Sequence, residues 1–172
     1  KTVPDLLAEQ TGIAIHDFFG NNAATTTVDM RGFGTTGGQN TLILLDGRRI
    51  TDIDLSGVQW SAIPRAAIER IEIVRGGGAV QYGEGASAGV INIITKSPTK
   101  FGHTATAEAR AGTYSTRELQ VNANYLAAGA GINLTASHFK SDGYRDNNRN
   151  EQSNLHTDLR WLVGDGELTL KL

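Results

Sequence analysis

The sequence of 172 residues has no cysteine, 3 prolines, a single methionine and only 6% aromatics. Without cysteine there is no disulfide framework, no thiolate zinc site and no cysteine nucleophile. The four histidines, His16, His103, His138 and His156, lie too far apart for a local ligand pair. Neither sign of charge dominates: 16 Lys+Arg against 18 Asp+Glu give −2, which argues against a dedicated nucleic-acid binder. No apolar run reaches the roughly 18 residues of a transmembrane helix, and Lys1-Thr2-Val3 does not open a signal peptide. A β-barrel stays open, because its strands cross a membrane with only alternate residues apolar. What the chain has in excess is glycine: 21 residues, neither periodic nor joined by proline, which excludes collagen and low-complexity disorder.

Two halves differ in pattern. All 3 prolines lie in residues 1–98, and a boundary is expected near Lys96-Ser97-Pro98-Thr99. In the first half, Pro4 at a first helical position, Leu6 and Leu7 within one turn and Gly12 beyond predict a short helix. Residues 26–31 alternate toward a strand. Thr41–Leu45 is an apolar run closed by the hairpin signal Asp46-Gly47. Residues 61–68 read as a helix with Pro64 in its first turn, and 71–75 and 90–95 as strands, so a small mixed α+β unit is expected.

The second half has period two. Leu119, Val121, Ala123, Tyr125 and Ala127 share one face against Glu118, Gln120, Asn122 and Asn124, and residues 103–111 and 154–163 alternate in the same way. Residues 131–139 and 167–172 alternate less fully. Five strands joined by short turns and one long polar loop, Lys140–Gln152, make an up-and-down meander. Short turns on one side and long loops on the other mark an outer-membrane barrel, although a soluble sheet with one wet face would alternate too. Five strands cannot close around a lumen, so under the barrel reading 172 residues is the length of a fragment.

Chemical motifs carry little. Gly32-Phe33-Gly34-Thr35-Thr36-Gly37 fits a dinucleotide fingerprint, but Gln39-Asn40-Thr41-Leu42 runs on into a strand instead of opening a helix. The glycines of residues 76–85 follow a strand without the Gly-Lys-Ser/Thr of a phosphate loop. Asp52 and Asp54 read as solvated loop acids, and Ser87 lacks a nucleophile elbow, so no enzyme is expected. Arg31 and Arg75 each end a strand directly before a glycine, a repetition that favours ion pairing.

Ile68–Lys96, with Ile-Glu-Arg-Ile-Glu-Ile-Val-Arg-Gly at its head, closely resembles the end of the plug domain of TonB-dependent outer-membrane receptors. Val28–Gly34 and Leu42–Gly47 resemble that plug's Arg-Gly strand and Asp-Gly hairpin, in matching order and spacing. The resemblance covers about residues 3–98; residues 99–172 look like the first barrel strands that follow. It implies an α+β plug domain, 1–98, then antiparallel strands of a transmembrane β-barrel, 99–172, of about 22 strands in all. It also implies transport of a scarce ligand, a ferric siderophore foremost, with haem, cobalamin, another metal chelate or a sugar as alternatives. No resident cofactor is implied, since an iron chelate would be cargo. The partners implied are the TonB-ExbB-ExbD complex and outer-membrane lipid, with no nucleic acid, and the location is the bacterial outer membrane. No TonB box is visible before Val3-Pro4-Asp5.

By the same resemblance Arg31, Glu72 and Arg75 form a plug charge cluster that pairs with acids on the barrel wall. The ligand-facing candidates are Phe18, Asn21, Asn22, Gln39, Asp52, Asp54, Gln59 and Trp60, in the segments Ile15–Thr25, Gly34–Asn40 and Thr51–Trp60. The loop Lys140–Gln152, with Tyr144, reads as a ligand gate or as a plain solvated hairpin loop. A soluble periplasmic binding module that reuses the plug fold, and a signalling receptor with a further domain ahead of Lys1, are the competing readings.

Overall fold

The computed structural model describes residues 2–18, 20, 26–51, 57–76, 81–83, 85–98 and 102–172, which fall into two compact units. The first comprises Lys1–Ile63 and Ile68–Thr95. Helix α1, Val3–Ala8, opens with a capping box in which Thr2 Oγ1 accepts from Asp5 N and the Asp5 carboxylate accepts from Thr2 N at 2.6 Å. Val3 and Leu7 are buried beneath it. Strand β1, Ile13–Asp17, pairs antiparallel with β2, Thr26–Met30, from Ile13 opposite Met30 to Asp17 opposite Thr26. β1 was not among the expected strands; it lies where part of a ligand-facing segment was expected.

A four-stranded sheet follows in the order β4-β3-β6-β5. β3, Thr41–Leu45, turns through Asp46 and Gly47 into β4, Arg48–Arg49, and both turn residues have positive φ, 49° and 78°, as a tight hairpin turn requires. β3 runs parallel to β6, Gly89–Thr95, and β5, Ile68–Arg75, runs antiparallel to β6. Both faces of the central strands are covered. Ile43, Ile91 and Ile93 join Val3, Leu7, Val28 and Met30 in one cluster, while Leu42, Leu44, Ala86 and Val90 form a second. This double burial is why β3 and β6 read as continuous apolar runs.

The helix expected over 61–68 is replaced by two 3₁₀ turns, Trp60–Ala62 and Arg65–Ala67, on either side of Pro64. Proline disfavours helical geometry in the residue before it, and Ile63 is extended (φ −106°, ψ 94°). Ahead of β3, a 3₁₀ turn at Gly34–Thr36 runs into a four-residue helical turn α2, Gly37–Asn40, where an apical segment passing into the strand without a helix was expected.

The second unit comprises Pro64–Ala67 and Lys96–Leu172. Its strands are β7 Gly102–Ala111, β8 Arg117–Ala127, β9 Ala130–Ser141, β10 Asn150–Val163 and β11 Gly166–Lys171. Each pairs antiparallel with the next, as an unbroken meander. β9 and β10 run further than the alternation suggested, so the long connection shrinks from 140–152 to residues 142–149. Among the described residues no helix is long and apolar enough to cross a membrane, which says nothing of crossing by strands.

Candidate functional site

The glycine-rich loop after β2 is organised around a carboxylate of its own. Asp29 is 1% exposed, and its oxygens accept from Phe33 N at 3.0 Å and Gly34 N at 2.6 Å. His16 Nε2 lies 3.8 Å from Oδ2. The amides that a phosphate loop would turn toward a ligand are therefore occupied by Asp29. Gly37 packs so closely on this side chain that a Cβ there would sit 2.5 Å from Asp29 Cβ. Glycine serves contact with a buried acid here, and sequence reasoning passed Asp29 over because it sits inside an ordinary alternating strand.

Arg31 and Arg75 are brought to one end of the first unit. Arg31 follows β2 in the left-handed region, φ 73°, with its guanidinium Nη2 3.1 Å from where a Cβ on Gly76 would stand. Arg75 is the last residue of β5, and its Nη2 donates to Thr11 O at 2.8 Å. Among the described residues neither arginine has a carboxylate within ion-pair distance. Glu72 departs from the expected cluster. Its Oε1 accepts from Arg70 Nε at 2.9 Å and its Oε2 from Asn92 Nδ2. Residues 72 and 75 are an odd number of steps apart on one strand, so Glu72 lies on the opposite face from Arg75.

The ligand-facing candidates scatter. Phe18 is 55% exposed just after β1, and Gln39 and Gln59 are exposed. Asn21, Asn22, Asp52 and Asp54 lie outside the described residues. Trp60 belongs to the core: it is buried, and its indole Nε1 donates to Thr26 O at 2.8 Å. A tryptophan whose polar tip is satisfied by backbone and whose rings are packed has no surface left for a ligand, so that expectation is corrected. Among the described residues no cluster of three or more His, Asp or Glu could hold a metal ion.

The five-stranded sheet is inverted relative to a water-soluble one. Leu155 (67%), Tyr125 (53%) and Leu119 (50%) are exposed, whereas Thr135, Asp158 and Asn133 on the other face are at most 2% exposed. Register makes the apolar face continuous: Val121, Ala136 and Leu155 stand in one row, and Tyr125, Ile132, Leu159 and Leu170 in another. From Leu155 to Val163 the apolar positions of β10 run eight residues, about 26 Å along the strand at ~3.3 Å each, which at a barrel tilt of about 35–45° spans roughly 20 Å of the ~25 Å apolar band. Trp161 pairs with Ala130 and Tyr125 with Ile132, so both large aromatics sit near the short turn at residues 128–129.

The buried polar face is bonded in part by its own side chains, although Asp158 Oδ1 and Arg160 Nε have no hydrogen-bond partner among the described residues. Asn122 Nδ2 donates to Asn133 Oδ1 at 3.0 Å and to Thr135 Oγ1 at 2.7 Å. Pro64–Ala67 is held on this face: Ala66 N donates to Gln120 Oε1 at 3.0 Å, and Arg65 pairs with Glu108 at 2.5 Å, which also pairs with Arg110. Asp158 accepts from Ser97 Oγ at 2.5 Å, with Lys171 Nζ at 3.6 Å and Arg160 Nε at 3.8 Å. The alternation marked His156, Asp158 and Arg160 as one face, but only the folded sheet identifies that face as the buried one.

Residues 1–90 match the family described as TonB-dependent Receptor Plug Domain. The chain is 40% identical over 90 residues to the ferric enterobactin receptor PirA of Pseudomonas aeruginosa, covering 46% of this chain and 11% of that protein. It is 36% identical over 121 residues to the vitamin B12 transporter BtuB of Vibrio cholerae, covering 70% of this chain and 19% of that one. Among solved structures, the siderophore receptor PirA from P. aeruginosa superposes with a TM-score of 0.70 at 27% identity, over 98% of this chain and 29% of the receptor. The copper transporter OprC superposes at 0.76 with 22% identity, over 98% and 28%, a likeness of fold alone. The chain thus spans less than a third of these proteins, which are receptors and transporters by name and not enzymes.

Proposed function

Because the chain belongs to the TonB-dependent receptors, as a plug domain with antiparallel strands of their barrel, we propose that it serves active uptake of a ferric siderophore across the bacterial outer membrane. The observation that carries the membrane part is the inverted sheet. An exposed apolar band with a buried polar reverse suits lipid outside and a filled, polar lumen inside. In this reading residues 1–98 are the plug and 99–172 the first of about 22 barrel strands. The short turns face the periplasm and the 142–149 loop faces outward. TonB, energised by ExbB and ExbD, pulls on the plug.

The siderophore preference is supported by the relatives named for ferric enterobactin, in P. aeruginosa and in Escherichia coli, the latter 41% identical over 106 residues. The BtuB likeness covers more of the chain and supports cobalamin as the second reading. Two arginines at one end of the plug, neither with a carboxylate partner among the described residues, support a lock. Acids on barrel strands outside this chain would pair with Arg31 and Arg75 and release them to water when the plug moves, which an apolar seal would resist.

The test is fractionation followed by titration of the complete, detergent-purified protein with ferric enterobactin, haem and cobalamin, reading tryptophan fluorescence. Outer-membrane recovery and saturable quenching by ferric enterobactin are expected. Quenching by cobalamin alone would replace the ligand, and recovery from the soluble periplasmic fraction would overturn the receptor reading.

A further inference from the structure

His16 presents a ring nitrogen to the buried Asp29 without bonding it. The side chain is 42% exposed, yet Nε2 itself is shut from solvent and has no hydrogen-bond partner among the described residues. The β1–β2 pairing fixes what it faces. His16 stands opposite Thr27 and Ala14 opposite Asp29, so these four share one face, while Ile13, Ile15, Val28 and Met30 enter the core on the other. α2 closes over the polar face with two glycines: a Cβ on Gly38 would stand 3.2 Å from Thr27 Cγ2, and one on Gly37 would collide with Asp29. Nε2 is left 3.8 Å from Asp29 Oδ2, about 0.6 Å beyond ordinary hydrogen-bond reach. Asp29 has room for a third donor, because a carboxylate accepts about four bonds and its described donors are Phe33 N and Gly34 N. Those two bonds hold the turn that carries Arg31, in which Arg31, Gly32 and Gly34 are all left-handed. Among the described residues of the elements packed on β1 and β2, no other charged group faces the imidazole. Asp17 lies on the opposite face of β1 and accepts from Gly20 N, and Asp5 of α1 accepts from Thr2 N. Gly34–Thr36, α2 and β3 carry no titratable side chain, and the Arg31 guanidinium lies against Gly76.

We propose that His16 and Asp29 form a proton-controlled catch: neutral His16 leaves it open, and the imidazolium closes on Asp29 Oδ2, so that the Arg31 turn holds harder in acid and the plug yields less readily. The inference rests on the uptake reading above, which gives the Arg31 turn its part in plug release. Linkage sets the sign. The closed catch binds the proton more tightly than the open one, so closure is complete below the range in which histidine changes charge, about pH 5–8, and is lost as pH rises through it. The bond formed is charge-assisted and ends on a buried carboxylate, although the partly exposed imidazole keeps its gain near that of a screened pair.

The test is hydrogen exchange of the complete, detergent-purified protein at about pH 5.5 and about pH 8, read by mass spectrometry on peptides containing Phe33 and Gly34 and corrected for intrinsic rates. Corrected exchange is expected to be about fivefold slower at the acid pH. His16→Gln should abolish that difference, whereas His138→Gln, in the second unit, should keep it. Glutamine retains a donor but no titratable charge, so loss of the pH dependence identifies the proton where a general loss of protection would not. In cells, uptake of ferric enterobactin by the unaltered protein should fall below that of His16→Gln at the acid pH and match it at the alkaline one. Equal corrected exchange at both pH values in the unaltered protein, a difference that survives His16→Gln, or equal uptake by the two proteins in acid would overturn the proposal. No uptake by the unaltered protein at either pH would overturn the receptor reading, and exchange alone then decides the catch.

Discussion

Ser97 donates its hydroxyl hydrogen to Asp158 Oδ2 at 2.5 Å, from the segment just ahead of β7 to a fully buried carboxylate on β10. Among the described residues the other oxygen, Oδ1, has no hydrogen-bond donor of its own, and Arg160 and Lys171 approach the carboxylate only to 3.8 and 3.6 Å. A buried charge held this way is sensitive to loss of either side.

Asp158→Ala should therefore destabilise the sheet by about 3–5 kcal/mol, because a buried ion pair is broken from the acid side and Arg160 keeps only its partly exposed partner Glu167. Ser97→Ala removes one hydrogen bond to a charged group and should cost about 1.5–3 kcal/mol. Urea unfolding of the complete protein in detergent checks the order of the two; a Ser97 variant costing as much as the Asp158 variant would contradict it.

Gly37→Ala should cost about 1–3 kcal/mol by overpacking against Asp29, since the added methyl would lie 2.5 Å from Asp29 Cβ. Gly12→Ala meets nothing within 4 Å and is strained only by its φ of 78°, so it separates a backbone cost from a packing cost. Thermal unfolding of the two variants makes the comparison, and combining Gly37→Ala with Asp29→Ala should not add the two losses.

Asp46→Ala breaks two bonds at once, because its carboxylate accepts from Thr95 N at 2.9 Å and Thr95 Oγ1 at 2.6 Å while its φ is 49°. A loss of about 2–4 kcal/mol is expected, with Asp46→Asn costing less because asparagine tolerates the same backbone. Hydrogen exchange of the Thr95 amide reports the change at the bond itself.

Trp60→Phe should lower stability by about 1–3 kcal/mol through the unpaired Thr26 carbonyl, with ligand affinity unchanged. A selective loss of affinity, measured by fluorescence of Trp161, would return Trp60 to the ligand-facing set.

Arg31→Ala with Arg75→Ala should raise permeability to large antibiotics if the pair holds the plug, whereas Glu72→Gln, on the opposite strand face, should not. Antibiotic susceptibility of cells carrying each variant decides it. Equal leakage from the double arginine variant and from Glu72→Gln would place the effect in general plug stability.

Local chemistry was readable where one residue or one period decides the outcome. Asp46-Gly47 announces its hairpin because few residue pairs accept two positive φ angles, and the alternation of β7, β8 and β10 needs only a count of two. The helix expected over 61–68 failed because propensity favoured it while Pro64 held Ile63 extended and residues 64–67 pack with the second unit. β1 was missed because five residues, Ile13–Asp17, carry too short a pattern to stand out until β2 pairs with them. The glycines divide in the same way: those of the Asp46-Gly47 turn follow from the chain itself, whereas Gly37 is required only because Asp29 lies beneath it.

By itself the sequence determined every long strand, the Asp46-Gly47 turn, the plug resemblance and the absence of thiol chemistry, since each depends on neighbouring residues or on composition. The tertiary structure alone decided which sheet face is buried, that Trp60 is core, that Glu72 and Arg75 part, and that His16 faces Asp29. These are relations between residues distant in the chain, and period-two alternation is symmetric: it separates two faces without saying which of them meets solvent or lipid.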